Sequence, residues 1–223
     1  MQAISDLWAS RNQKAWSDAL ARYWNMPSVL KNLGLETRMN KLNSAAIKSL
    51  SQQEWYDFLK DEYFPWKYTA SHRLASTRKY LRKYEETNSL GELFSLKEKL
   101  FAFNPSNIQE GLEIAEKIKG LGWAGASGLL AVLFPKWFGT ADQFMVKALC
   151  EIESLPEREK LLEMRPEDLK EKDAVLLINL MRRKATDLNA LFGTDEWTPR
   201  KIDMILWATR NGADARCLSR TTS

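Results

Sequence analysis

Histidine and cysteine are nearly missing from this chain of 223 residues, which has one histidine, His72, and two cysteines, Cys150 and Cys217. A solitary histidine cannot build a histidine-based metal site, and no serine or cysteine has a recognisable partner for a nucleophilic triad. Surface or hydrogen-bonding duty is the expectation for His72. The cysteines stand far apart, without a CxxC or Cys/His cluster, which argues against a disulfide framework and a zinc site. No run of about 18 apolar residues is present to span a bilayer. The polar start lacks the apolar core of a signal peptide. The expectation is an intracellular, cytoplasmic protein in a reducing compartment, with no membrane partner and no metal. Strand-like alternation is scarce too, and neither an internal repeat nor a low-complexity segment is found.

What is present is helical periodicity, punctuated by glycine and proline. The length suffices to bury a sizeable core, as one all-α unit over residues 1–223 built from two packed subdomains. Hydrophobic residues make up 44% of the chain, which argues against global disorder. A formal charge of +4 is only mildly basic and permits a nucleic-acid partner without demanding one.

The chain is organised around residues 107–149. Ile108, Leu112, Ala115 and Ile118 recur at helical spacing, which predicts a helix over 108–118. Lys119-Gly120-Leu121-Gly122 stops it, glycine being suited to the left-handed residue after a helix. Residues 124–134, small at first and then apolar all round, predict a helix packed on several sides, ended by Pro135. After a short aromatic loop, Asp142 is placed to cap the next helix. Two helices joined by a tight Gly-apolar-Gly turn present backbone N–H groups at the second N-terminus. Such a terminus carries partial positive charge and binds phosphate without reading bases.

Ile118-Lys119-Gly120-Leu121-Gly122-Trp123-Ala124-Gly125-Ala126, followed by Ala141-Asp142-Gln143-Phe144-Met145-Val146-Lys147, resembles the hairpin and aspartate segment of the helix-hairpin-helix DNA glycosylase superfamily. The spacing between the two parts is similar to that of endonuclease-III-like members. The resemblance implies DNA as partner, with Lys119, Gly120, Leu121, Gly122 and Lys147 on its backbone. It implies Asp142 as the catalytic carboxylate. Trp123, Trp137 and Phe144 become candidates for the base pocket or wedge. Bifunctional members carry a lysine two residues after the second hairpin glycine, where this chain has Ala124. Monofunctional cleavage of the N-glycosidic bond, without lyase activity, is therefore expected. No cofactor is implied beyond a monovalent cation at the hairpin, and two cysteines cannot hold the four-cysteine iron–sulfur cluster of some members.

A second informative segment runs over residues 63–84, where no acidic residue interrupts Lys67, Arg73, Arg78, Lys79, Arg82 and Lys83. Trp66, Tyr68, Tyr80 and Tyr84 interleave with them. On a helix Arg78 and Arg82 share a face, giving a ridge for phosphates with aromatics beside it for an unpaired base. Lys67, Arg73, Arg78 and Arg82 join the DNA-binding residues on this ground.

Elsewhere the pattern predicts helices over 8–25, 44–50, 90–103 and 174–192, with a short, mixed stretch over 30–42. Ser51 and Glu54 form a capping-box pattern opening a helix over 52–63. Thr198-Pro199 reads as cap and first position of a last helix, and a frayed tail is expected over 211–223. The charge-dense stretch 151–173 reads as solvated helices and linkers. Arg182, Arg183 and Lys184 add positive charge near the middle of the 174–192 helix. Two rival readings stand beside it: a DNA-binding module that keeps the hairpin without catalysis, which explains Ala124 equally well and makes Asp142 only a cap, and a helical protein–protein scaffold, which leaves the hairpin unexplained.

Overall fold

The computed structural model describes residues 3–209, so the tail 211–223 lies outside the described residues. Among these, every regular element is a helix. No helix among them is long and apolar enough to cross a membrane.

Residues 8–25 do not form one helix. They divide into α1 (Ile4–Ala9) and α2 (Gln13–Trp24), because Asn12 turns out of helical geometry and its side chain accepts the Lys14 amide at 2.9 Å. The Trp16 indole donates to Ser10 O at 3.1 Å and secures the break. The mixed stretch resolves into α3 (Pro27–Leu30) and α4 (Leu33–Asn40), followed by α5 (Ser44–Lys48). The capping box at Ser51 and Glu54 is present in both directions and opens α6 (Gln52–Phe58). This helix does not stop at Tyr63. A π-helical segment over Leu59–Tyr63 widens the coil and leads directly into α7 (Phe64–Lys67). Pro65, which has no amide to offer, falls in the first turn after that join, where a missing donor costs least.

α8 (Ser71–Glu86) and α9 (Leu90–Leu100) follow. Lys97 of α9 is buried, and its ammonium donates to Lys48 O at 2.9 Å and to Leu50 O, closing the end of α5. α10 (Ile108–Glu116) and α11 (Trp123–Leu133) pack on each other across the glycine turn. Asn107 caps α10, and the apolar run of α11 is buried from Gly125 to Leu133. α12 (Gln143–Cys150) starts at Asp142, and α13 (Arg158–Leu162) is a short element in the charged stretch. α14 (Glu171–Phe192) ends in Gly193 at φ +62°, and α15 (Pro199–Ala208) begins with the expected Thr198 cap and Pro199.

One contiguous core runs from Ile4 to Leu206 through α6, α10, α11, α12 and α14. α15 packs against α2, α12 and α14, bringing the two ends of the described chain together. Its Arg200 and Asp203 therefore face inward beside α12, whose first turn carries the candidate site.

Candidate functional site

The turn between α10 and α11 is shaped by backbone sterics. Gly120 has φ +98°, and a Cβ there would lie 2.8 Å from Thr77 O of α8. Only glycine lets α8 approach so closely. The turn is tied to α8 and to the end of α7. The Tyr84 hydroxyl accepts the Lys119 amide at 3.1 Å, and the Tyr68 hydroxyl donates to Gly120 O at 3.3 Å. Gly122, by contrast, is exposed, its backbone is extended, and open space surrounds its Cβ direction. No side chain caps α11 at that point. The structure thus joins the glycine turn and the basic helix α8, two features far apart in sequence.

Asp142 is the cap of α12: its Oδ1 accepts the Phe144 amide at 3.0 Å. The backbone ahead of it is fixed from two directions. Ala141 N donates to Ser127 Oγ of α11 at 2.9 Å, and Thr140 N donates to Asp203 Oδ2 of α15 at 2.9 Å. The other carboxylate oxygen, Oδ2, lies 3.2 Å from Lys67 Nζ at the end of α7. Both side chains are largely covered, Lys67 being 10% and Asp142 18% exposed. Lys67 reaches this position by crossing α11 over Gly128, where a Cβ would come within 3.1 Å of its Cδ. The π-helical segment supplies a second contact to α11, the Tyr63 hydroxyl donating to Gly125 O.

Lys67 and Asp142 line a cleft of ≈ 600 Å³. Its walls come from α2 to α4 on one side, with Tyr23, Val29, Leu35 and Glu36, and from α12 and α15 on the other, with Phe144, Arg200, Asp203 and Trp207. Trp66, Tyr68 and Leu74 close it between them. The floor is a buried polar network. Glu36 accepts from Tyr23 at 2.6 Å, from the Trp66 indole at 2.6 Å and from Arg200 at 3.0 Å. Arg200 also donates to Asp203 at 2.7 Å, and its guanidinium lies 5.2 Å from the centre of the Trp66 ring. Burial pushes the Asp203 carboxyl above its ordinary value, the Arg200 guanidinium opposing this and the nearby Asp142 charge adding to it. Burial pushes the Tyr23 hydroxyl up as well, and Tyr68 to about 12. Both phenols are therefore neutral donors near neutral pH.

The structure separates residues that the sequence groups together. Lys67 is not on the basic ridge; it points into the cleft against Asp142. Arg78 is half-buried, and its Nε and one terminal nitrogen donate to Lys60 O at 3.1 and 2.9 Å, whereas Arg82 is exposed. The exposed basic side chains of α8 are Arg73, Lys79, Arg82 and Lys83. Of the interleaved aromatics, Tyr84 is buried, Trp66 and Tyr68 line the cleft, and Tyr80 is exposed. Leu121 is buried, so only its backbone faces the turn's surface. Lys119 lies 4.3 Å over the Tyr84 ring and 3.9 Å from Glu92. Lys147 is half-buried on α12. Phe144 lines the cleft, whereas Trp123 packs on the core and Trp137 lies under the Arg182 guanidinium, 5.6 Å from its ring centre. Arg182 itself donates to three loop carbonyls, Arg183 pairs with Glu157, and Lys184 donates to Trp8 O. His72 is exposed at the start of α8.

Sequence reasoning passed over Glu36, Tyr23, Arg200 and Asp203. The last two carried a signal: an arginine and an aspartate three apart on the apolar face of a helix, where a charged pair must find partners inside. Glu36 carried none. Among the described residues no three histidine, cysteine, aspartate or glutamate side chains converge to hold a metal ion. Comparison with protein families, with curated proteins and with solved structures gave no match.

Proposed function

We propose that the protein is a DNA-binding, base-excising N-glycosylase of helix-hairpin-helix type, acting on a damaged or mismatched nucleotide turned out of the duplex. The observation that carries this reading is the position of Asp142. It is the residue that the resemblance makes catalytic, and its carboxylate lines a cleft with aromatic walls, held by an amide on one oxygen and an ammonium on the other. In this reading the turn Lys119 to Gly122 and the exposed face of α8 hold the phosphates of the duplex. The flipped nucleotide enters between the helices of the N-terminal half and α12 with α15, which act as the two subdomains. Trp66, Tyr68 and Phe144 stack on the base. The fixed carboxylate of Asp142 then faces the positive charge that develops on the sugar as the bond to the base breaks. A carboxylate already oriented by the fold needs no rearrangement as that charge appears.

The hairpin contributes donors and space in this scheme, and Ala124 stands in the lysine place of bifunctional members. Incubating the purified protein with duplexes that each carry one defined lesion tests the reading. Alkali-labile sites at one lesion are expected. Tight, salt-sensitive binding with no base released from any duplex would identify a DNA-binding module in which Asp142 is a helix cap.

A further inference from the structure

We propose that Lys67 is a catalytic amine that condenses with the aldehyde carbon of an abasic sugar in the cleft. The inference rests on the reading of the cleft as a nucleotide site. Three observations point to it. Lys67 is the basic side chain of residues 63–84 that turns inward, lining the cleft at 10% exposure, while Arg73, Lys79, Arg82 and Lys83 face solvent. Its Nζ lies 3.2 Å from Asp142 Oδ2, an amine and a base within hydrogen-bond reach, which is the arrangement that activates a nucleophile. Its stem crosses Gly128 of the buried helix α11, so the amine is delivered from a fixed helix end and not from a mobile loop.

The chemistry balances without an outside oxidant or reductant. Asp142 takes a proton from the Lys67 ammonium, and the freed lone pair forms a bond to C1′ of the ring-opened sugar. The carbonyl π pair moves to oxygen and is protonated. Loss of that oxygen as water leaves an imine between Lys67 and C1′. The imine acidifies C2′, a carboxylate removes a proton there, and the 3′ phosphate leaves with the electron pair of its C–O bond. Hydrolysis by one water then returns the amine. The strand is cut by elimination, although Ala124 stands where bifunctional members carry their lysine.

The test uses the full chain and a duplex containing one preformed natural abasic site, so no base needs to be released. Cyanoborohydride is added to reduce any imine, and the product is read by intact mass and peptide mapping. The expected result is one covalent adduct, mapped to Lys67. Lys67→Arg keeps a cation beside Asp142 but cannot form this imine, so the adduct should vanish while affinity for a tetrahydrofuran-containing duplex stays similar. Lys136→Arg and Lys160→Arg, exposed positions outside the cleft, should retain the adduct. No adduct with the wild type, an adduct mapped elsewhere, or one undiminished in Lys67→Arg overturns the proposal. Mapping in the wild type decides the matter even if the variant fails to fold. Base release from lesion duplexes without an adduct overturns the amine and leaves the glycosylase. An adduct on Lys67 with no base released from any lesion upholds the amine and removes the glycosylase.

Discussion

Lys67 Nζ meets Asp142 Oδ2 at 3.2 Å across 75 positions of sequence, and the contact joins the end of α7 to the start of α12 over the face of α11. Three parts of the chain must therefore be correctly packed before this pair exists. The carboxylate that caps α12 is also the one that faces the cleft, so local helix chemistry and the proposed reaction depend on the same side chain.

Glu36 holds the cleft's floor together. It gathers Tyr23, Trp66 and Arg200 from three separate helices, and it is 8% exposed. Glu36→Ala leaves a buried guanidinium, an indole and a phenol short of their acceptor. Removing one partner of such a buried pair costs about 3–5 kcal/mol. Urea denaturation at neutral pH should show a loss in that range, with Glu36→Gln closer to the wild type.

The two hairpin glycines should fail in opposite ways. Gly120→Ala forces a side chain into left-handed backbone against Thr77 O, a strain of about 1–3 kcal/mol. Gly122 is extended and open, so Gly122→Ala should cost under about 1 kcal/mol in stability. If phosphates approach this turn, the added methyl at position 122 weakens DNA binding while the fold stands. Thermal unfolding and filter binding of both variants separate the two effects. Equal DNA affinity for Gly122→Ala and the wild type would take the turn out of the footprint.

The basic helix offers a similar division. Combined replacement of Lys79, Arg82 and Lys83 by alanine should flatten the dependence of log affinity on log salt, by about 0.9 for each phosphate no longer neutralised. Arg78→Ala should leave that slope alone. It should instead lower stability by on the order of 1 kcal/mol, because its guanidinium bonds Lys60 O. Salt titrations on two unrelated duplex sequences check both statements, and a changed slope for Arg78→Ala would return it to the footprint.

Local features were legible in the sequence because their partners lie three or four residues away. The Ser51–Glu54 capping box, the Thr198 cap with Pro199, and Asp142 opening α12 are all written at fixed short offsets. The glycine turn was legible for the same reason, since a left-handed residue after a helix asks for glycine whatever surrounds it. The break at Asn12 was hidden because the apolar period continues across it while a side-chain bond opens the second helix. The destinations of Lys67 and Arg78 were hidden for another reason. Both sit in one basic run, and only the packing of α7 and α8 on α11 and the π-helical segment turns one inward and ties the other to Lys60 O. Glu36 was invisible because a single acidic residue on a short helix has no local pattern that distinguishes buried from solvated.

Single-turnover base release by Asp142→Asn, on whichever lesion duplex the wild type processes, tests the central claim most directly. Asparagine also caps helices, so the variant should keep its fold while losing the charge. The account predicts a loss of orders of magnitude in the rate of base release, with DNA affinity little changed. Release at the wild-type rate in a folded Asp142→Asn would contradict it and leave Asp142 as the cap of α12 alone.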